Sequence, residues 1–100
     1  MSDNIPKRKA VLLEAAETIT QDRVDKHGEP EDSFEAIAQF WTTYLKSKGV
    51  MLRNCELTKA DASCMLALFK VARHTVQENS DNLVDCAGYI GITAELTDKE

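Results

Sequence analysis

Two ionisable side chains interrupt the most apolar stretches of this chain, and they constrain its fold more than any other feature. Leu83-Val84-Asp85-Cys86-Ala87-Gly88-Tyr89-Ile90 is apolar on nearly every side except at its carboxylate. Met65-Leu66-Ala67-Leu68-Phe69-Lys70-Val71-Ala72 repeats the pattern with an ammonium. A charge left unpaired in such surroundings costs on the order of several kcal/mol. Asp85 and Lys70 each require a counter-ion, a metal or a ligand, and the helices that carry them must present them to it.

The remaining sequence supplies helices and little else. Apolar residues recur at spacings of three and four, while the two-residue alternation of a half-buried strand never persists. A first helix is expected over about 7–21, with Pro6 at its start and Val11, Leu12, Ala15, Ala16 and Ile19 as its buried stripe. Gly28 and Pro30 break the pattern between Asp22 and Pro30. A second helix over about 32–48 carries Phe34, Ile37, Ala38, Trp41, Tyr44 and Leu45, and Gly49 stops it. Thr58 caps a third over about 58–76, with Asp61 in its first turn, and Ser80 opens a fourth over about 80–96. Gly88 and Gly91 each cost about 1 kcal/mol relative to alanine inside that helix, which points to close packing or ligand approach. The expected fold is all-α, a four-helix bundle-like single domain over residues 1–100 with short loops.

A chain of 100 residues buries only about 60–65% of its unfolded surface, so completion by homo-oligomerisation, as a dimer or higher, is expected. The formal net charge of -5 is spread along the chain, with Lys7-Arg8-Lys9 as the single basic cluster. That balance disfavours a nucleic-acid backbone binder. Cys55, Cys64 and Cys86 lack CxxC spacing, and with no apolar run long enough for a membrane the expectation is a reduced, cytoplasmic protein. Cys64 and Cys86 read as small core residues, and His27 and His74 form no zinc spacing with the cysteines.

Asp85 and Lys70 have neighbours of matching kind. Asp81 precedes Asp85 by one turn, about 40° around the helix, and two close carboxylates favour a hard cation such as Mg²⁺. Arg73 follows Lys70 by one turn, about 60° around its helix, so both can face phosphate oxygens. The same four residues can instead close two salt bridges, Lys70–Asp85 and Arg73–Asp81. Asp61 reads either as a cap or as a carboxylate for a pocket completed by another subunit, and Glu35 as a further candidate. Arg23 and His27, in the irregular link, read as nucleotide contacts or as a surface turn. Trp41 and Tyr44 can stack a base, though helical spacing favours core packing for Trp41.

These residues resemble a family of small phage and prophage proteins. The first half matches the pattern D-R-x-x-x-Y/H-G-x-P-x-x-N-F-x-x-I-A-x-x-W through Asp22-Arg23, His27-Gly28, Phe34, Ile37-Ala38 and Trp41. Lys70-Val71-Ala72-Arg73 and Asp81-Asn82-Leu83-Val84-Asp85-Cys86-Ala87-Gly88-Tyr89 match its K-I-A-R…D-N/S-x-x-D-x-A-G-Y signature. The family looks distantly related to the MazG-like all-α nucleoside triphosphate pyrophosphohydrolases. That resemblance implies Mg²⁺, or Mn²⁺, on Asp81 and Asp85, joined by Asp61 or Glu35, with Lys70 and Arg73 on the phosphates. It implies base or sugar contacts from His27, Arg23, Asn82 or Tyr89, and cleavage of a (d)NTP to (d)NMP and pyrophosphate. The E-x-x-E and E-x-x-D motifs of that group are not both present. Glu14 and Glu17 have the first spacing but precede the irregular link. The alternative is a catalytically inactive helical factor of phage origin that binds nucleotide or a host protein.

Overall fold

The structure, a computed structural model, describes residues 5–22 and 30–98, without the side chains of residues 21, 22, 30 and 31. Those residues form four α-helices and no strand: α1 (Lys7–Glu17), α2 (Pro30–Ser47), α3 (Lys59–Val76) and α4 (Ser80–Asp98). A π-helical turn, Thr18–Asp22, extends α1. All-α architecture is therefore observed, with helix bounds within about two residues of those expected except at the end of α1, where the π-helical turn takes over.

Local chemistry explains where the helices start and stop. Thr58 and Asp61 form a reciprocal capping box: Asp61 N–H donates to Thr58 Oγ1 at 3.1 Å, and Thr58 N–H donates to Asp61 Oδ2 at 2.9 Å. Such a cap contributes about 0.5–2 kcal/mol. Gly49, at φ +74°, takes the left-handed conformation that ends α2. The link that follows is tied back onto α2, since Leu57 N–H donates to buried Thr42 Oγ1 and Lys46 Nζ donates to the Arg53 carbonyl. Asn79 caps α4 through its side chain, which accepts from Asp81 N–H at 2.9 Å.

The most extensive packing is between α3 and α4, which run antiparallel. Their cross-helix partners fix the register, pairing Ser63 with Tyr89 and Lys70 with Asp85, and the turn between them is closed by Asn79 N–H donating to His74 Nδ1. Completely buried Ser63 donates to the Tyr89 carbonyl at 2.9 Å, and Thr93 Oγ1 lies 2.9 Å from Ser63 Oγ and 2.7 Å from that carbonyl. α2 packs on the outer side of α3, and Phe34 reaches the Tyr89 ring edge-on at 6.0 Å between centroids. α1 packs on α4.

Alanine dominates this core. Among the described residues, Ala15, Ala38, Ala60, Ala62 and Ala67 are buried alongside only Phe34, Val84, Ile92 and Leu96 of the hydrophobic residues. Small residues let backbones approach, and many large apolar side chains stay outside. The buried stripe expected for α1 is narrower than the periodicity implied: Ala15 is buried and Val11 and Ile19 half-buried, but Leu12 is 61% exposed and Ala16 is exposed. Cys64 is exposed as well, because it is turned about 100° from buried Ser63 on α3, and Cys86 is only half-buried. Trp41 packs against the core as expected, while Tyr44 points outward.

The glycines of α4 serve close packing. A Cβ on Gly88 would stand 2.9 Å from Ile19 Cγ2, and one on Gly91 would stand 3.3 Å from Ile19 Cδ1. The first contact involves a stiff β-branched atom, whereas the second meets the free end of the side chain. Alanine gains about 1 kcal/mol over glycine in a helix, and overpacking costs about 1–3 kcal/mol. Gly88→Ala is therefore expected to lower the urea midpoint of unfolding and Gly91→Ala to leave it unchanged or raise it. Equal shifts from the two would refute this account of α1 docking.

Candidate functional site at the α3–α4 seam

The antiparallel register brings the charges of α3 and α4 together near their connection. Lys70 Nζ lies 3.1 Å from Asp85 Oδ2, with side-chain exposures of 19% and 39%. The carboxylate in the apolar run is thus neither orphaned nor deeply buried: it sits at the rim of the seam, paired. Such a half-exposed pair contributes about 0.2–1 kcal/mol, far less than a fully buried one.

Arg73 and Asp81 occupy the next level of the same seam, yet they do not pair. Among the described residues neither has an ion-pair partner. The Arg73 guanidinium instead lies over the Phe69 ring, 5.7 Å from its centroid, and Lys70 Nζ lies 5.8 Å from the same centroid. A half-exposed phenyl ring flanked by two cations is a cation–π arrangement, in which the ring's negative face attracts both. Asp81, exposed in the first turn of α4, benefits from the positive end of the helix.

The other candidates lie elsewhere. Asp61 starts α3, nine residues before Lys70 and about 13 Å away along the axis, with one carboxylate oxygen engaged by its cap. Glu35 lies on exposed α2, where its Oε2 accepts from Gln39 Nε2 at 3.1 Å. Tyr89 turns its ring into the core against Phe34. Arg23 and His27 fall outside the described residues. No three His, Cys, Asp or Glu side chains among the described residues are gathered closely enough to hold a metal ion. Asp81 and Asp85 alone do not make a preassembled Mg²⁺ site, because Asp85 is already neutralised by Lys70.

Asn82 stands out on α4. It is only 9% exposed, its carboxamide has no hydrogen-bond partner among the described residues, and it forms part of the wall of a cavity of about 450 Å³ between the end of α3 and the start of α4. Phe69 lines the same cavity. Nothing in helical periodicity marks Phe69 as functional; the signal available was its place beside Lys70 and one turn before Arg73.

The described residues, whose central helical hairpin gathers two cations and two carboxylates at one end, form an α-helical module with a polar seam. Residues 10–97 match the domain of unknown function DUF6378, and the chain belongs to that family. It is 32% identical over 90 residues to the Gene 55 protein of Mycobacterium phage L5, an alignment covering 87% of this chain and 52% of the relative. The chain thus spans about half the length of that curated relative. No solved structure matches it. No described helix is long and apolar enough to cross a membrane.

The geometry sets the expected consequence of removing the carboxylate. Asp85→Asn should lower stability by about 0.2–1 kcal/mol, and moderate salt should erase most of that difference by screening the exposed pair. Thermal unfolding of both proteins at low and high NaCl measures this. A loss of several kcal/mol that resists salt would mean Asp85 has a buried partner.

Proposed function

We propose that this chain is a nucleotide-handling helical domain of phage origin, working in the cytoplasm as a homo-oligomer and binding the phosphates of a (d)NTP at the α3–α4 seam. The observation that carries this reading is the Arg73 guanidinium, which stands one turn from Lys70 without a carboxylate partner among the described residues. A paired guanidinium would be satisfied, whereas a free one offers a planar fork of donors to phosphate oxygens. Resemblance to the MazG-like group supports the same ligand class.

Hydrolysis to (d)NMP and pyrophosphate is the stronger form of this reading, favoured by Asp81 and Asp85 on one row of α4. Mg²⁺ or Mn²⁺ would then be held by these two carboxylates together with substrate phosphates, a mode of binding that Mg²⁺ commonly adopts. It would supply charge neutralisation. Asp61 would join only from a second copy, since the antiparallel register sets it at the far end of the seam from Asp81, and Glu35 stands as a further candidate. The protein's own part is the clamp of Lys70 and Arg73.

Equilibrium dialysis against a panel of (d)NTPs, with EDTA and then with Mg²⁺, tests the proposal. We expect one or more nucleotides to bind and Arg73→Ala to weaken binding by about tenfold, the scale of one charge-assisted contact, at unchanged stability. Binding of none overturns it, and would leave a protein-interaction factor, with a host protein as the candidate partner. Monophosphate formed with Mg²⁺ and lost in Asp81→Asn supports hydrolysis; absence of product from every bound nucleotide overturns hydrolysis alone.

The oligomer is supported by the apolar surface that the alanine-rich core leaves uncovered. Phe40 and Tyr44 are 76% and 62% exposed one turn apart on α2, and Val50 and Leu52 are 70% and 71% exposed in the link folded back on that helix. A second copy covering this face should give a mass at least twice 11.2 kDa by light scattering. The variant Phe40→Ser/Tyr44→Ser should run as a monomer. A monomeric wild type at high micromolar concentration would refute this part.

A further inference from the structure

The cavity between the end of α3 and the start of α4 has its own chemistry, apart from the charges at its rim. Its volume of about 450 Å³ lies in the range typical of small-molecule sites. Phe69, Ala72 and Val76 give one wall from α3, Gln77 closes the end, and Asn82 contributes from α4. Three properties coincide there. Phe69 is 49% exposed in the free protein, and its ring lies beside the cationic groups of Lys70 and Arg73. Arg73 also lines the cavity, with its guanidinium beside that ring. Asn82 brings a nearly buried carboxamide that has no hydrogen-bond partner among the described residues.

A buried, unpartnered amide costs stability unless something bonds to it. Helix position does not call for asparagine here, since an apolar side chain at a buried site of α4 would pack without that cost. A ligand with a complementary donor–acceptor edge resolves the conflict. The aromatic ring indicates that this edge belongs to a planar group, because stacking tolerates any flat π-system. The guanidinium indicates that the planar group carries an anion nearby.

We propose that this cavity is the nucleobase subsite: the base stacks on Phe69, the Asn82 carboxamide bonds to its edge, and Arg73 holds the adjoining phosphate. The inference rests on the nucleotide-handling reading and adds to it the residues that recognise the base. Asn82 then sets base preference, and Phe69 supplies affinity that is nearly independent of base identity.

The test compares two ligands, each (d)NTP in turn and inorganic tripolyphosphate, which has the phosphates without the base. Binding is measured by isothermal titration to wild type, Phe69→Leu, Asn82→Ala and Arg73→Ala. Phe69→Leu and Asn82→Ala should lose at least about tenfold in affinity for the preferred nucleotide and leave tripolyphosphate unchanged. Arg73→Ala should weaken both ligands. Asn82→Ala should melt no lower than wild type, because it removes an unpartnered polar group, so its loss of affinity would not reflect misfolding. If the Phe69 and Asn82 variants bind nucleotide as wild type does while Arg73→Ala weakens both ligands, the base subsite is refuted and the phosphate clamp stands. Equal loss of both ligands in the Phe69 or Asn82 variant also refutes the subsite. If wild type binds tripolyphosphate but no nucleotide more tightly, the base makes no contact and the subsite falls. Binding of neither ligand overturns both proposals.

Discussion

The antiparallel contact between α3 and α4 holds everything else in place. Its centre is a buried polar stitch in which the Ser63 hydroxyl donates to the Tyr89 carbonyl and the Thr93 hydroxyl lies within hydrogen-bonding distance of both. Hydrogen bonds at a fully buried position tolerate little sliding, because a slip would leave the Ser63 hydroxyl unsatisfied in a dry interface. The stitch therefore sets the register, and the register decides which charges meet. With Ser63 locked opposite Tyr89, Lys70 falls level with Asp85, and Asn79 closes the turn onto His74. The meeting of these charges is a geometric result of a hydroxyl seven residues from Lys70.

Small residues extend this logic to the other helices. Glycine at 88 and 91 admits Ile19, and alanines at 38, 60, 62 and 67 let helices sit close. The cost is a core with few large side chains, in which Phe34, Ile92 and Leu96 provide most of the volume. A domain built this way is well positioned in its backbone but modest in apolar burial. Fully exposed groups such as Val76, at 88%, are what remains when packing is made from alanine.

Much of the architecture was legible because helices announce their ends chemically. Gly49 takes the positive φ that glycine accepts without strain, and Thr58 with Asp61 forms the cap that their spacing implies. The cost of leaving Lys70 and Asp85 alone called for a partner, and their mutual pairing was one of the alternatives that this left open. On α2 periodicity found the inward face, since Phe34, Ile37, Ala38 and Trp41 all pack there, but on α1 Leu12 follows the same spacing as Ile19 and lies outside. The choice was made by small residues on the opposing helix, which a hydrophobic stripe does not reveal. Arg73 and Asp81 illustrate a second limit: residues level with each other can still face different partners, here a phenyl ring and a helix terminus.

On the proposed reading, the Lys70–Asp85 pair is a stopper with two ends: an anion arriving at Lys70 would compete with Asp85, and a cation arriving at Asp85 would compete with Lys70. Either ligand, once seated, would free the partner that the other needs. Cation and anion binding would then be linked, each raising the affinity of the other by the same factor, as equilibrium thermodynamics requires. The pair would favour the two ligands together over either alone.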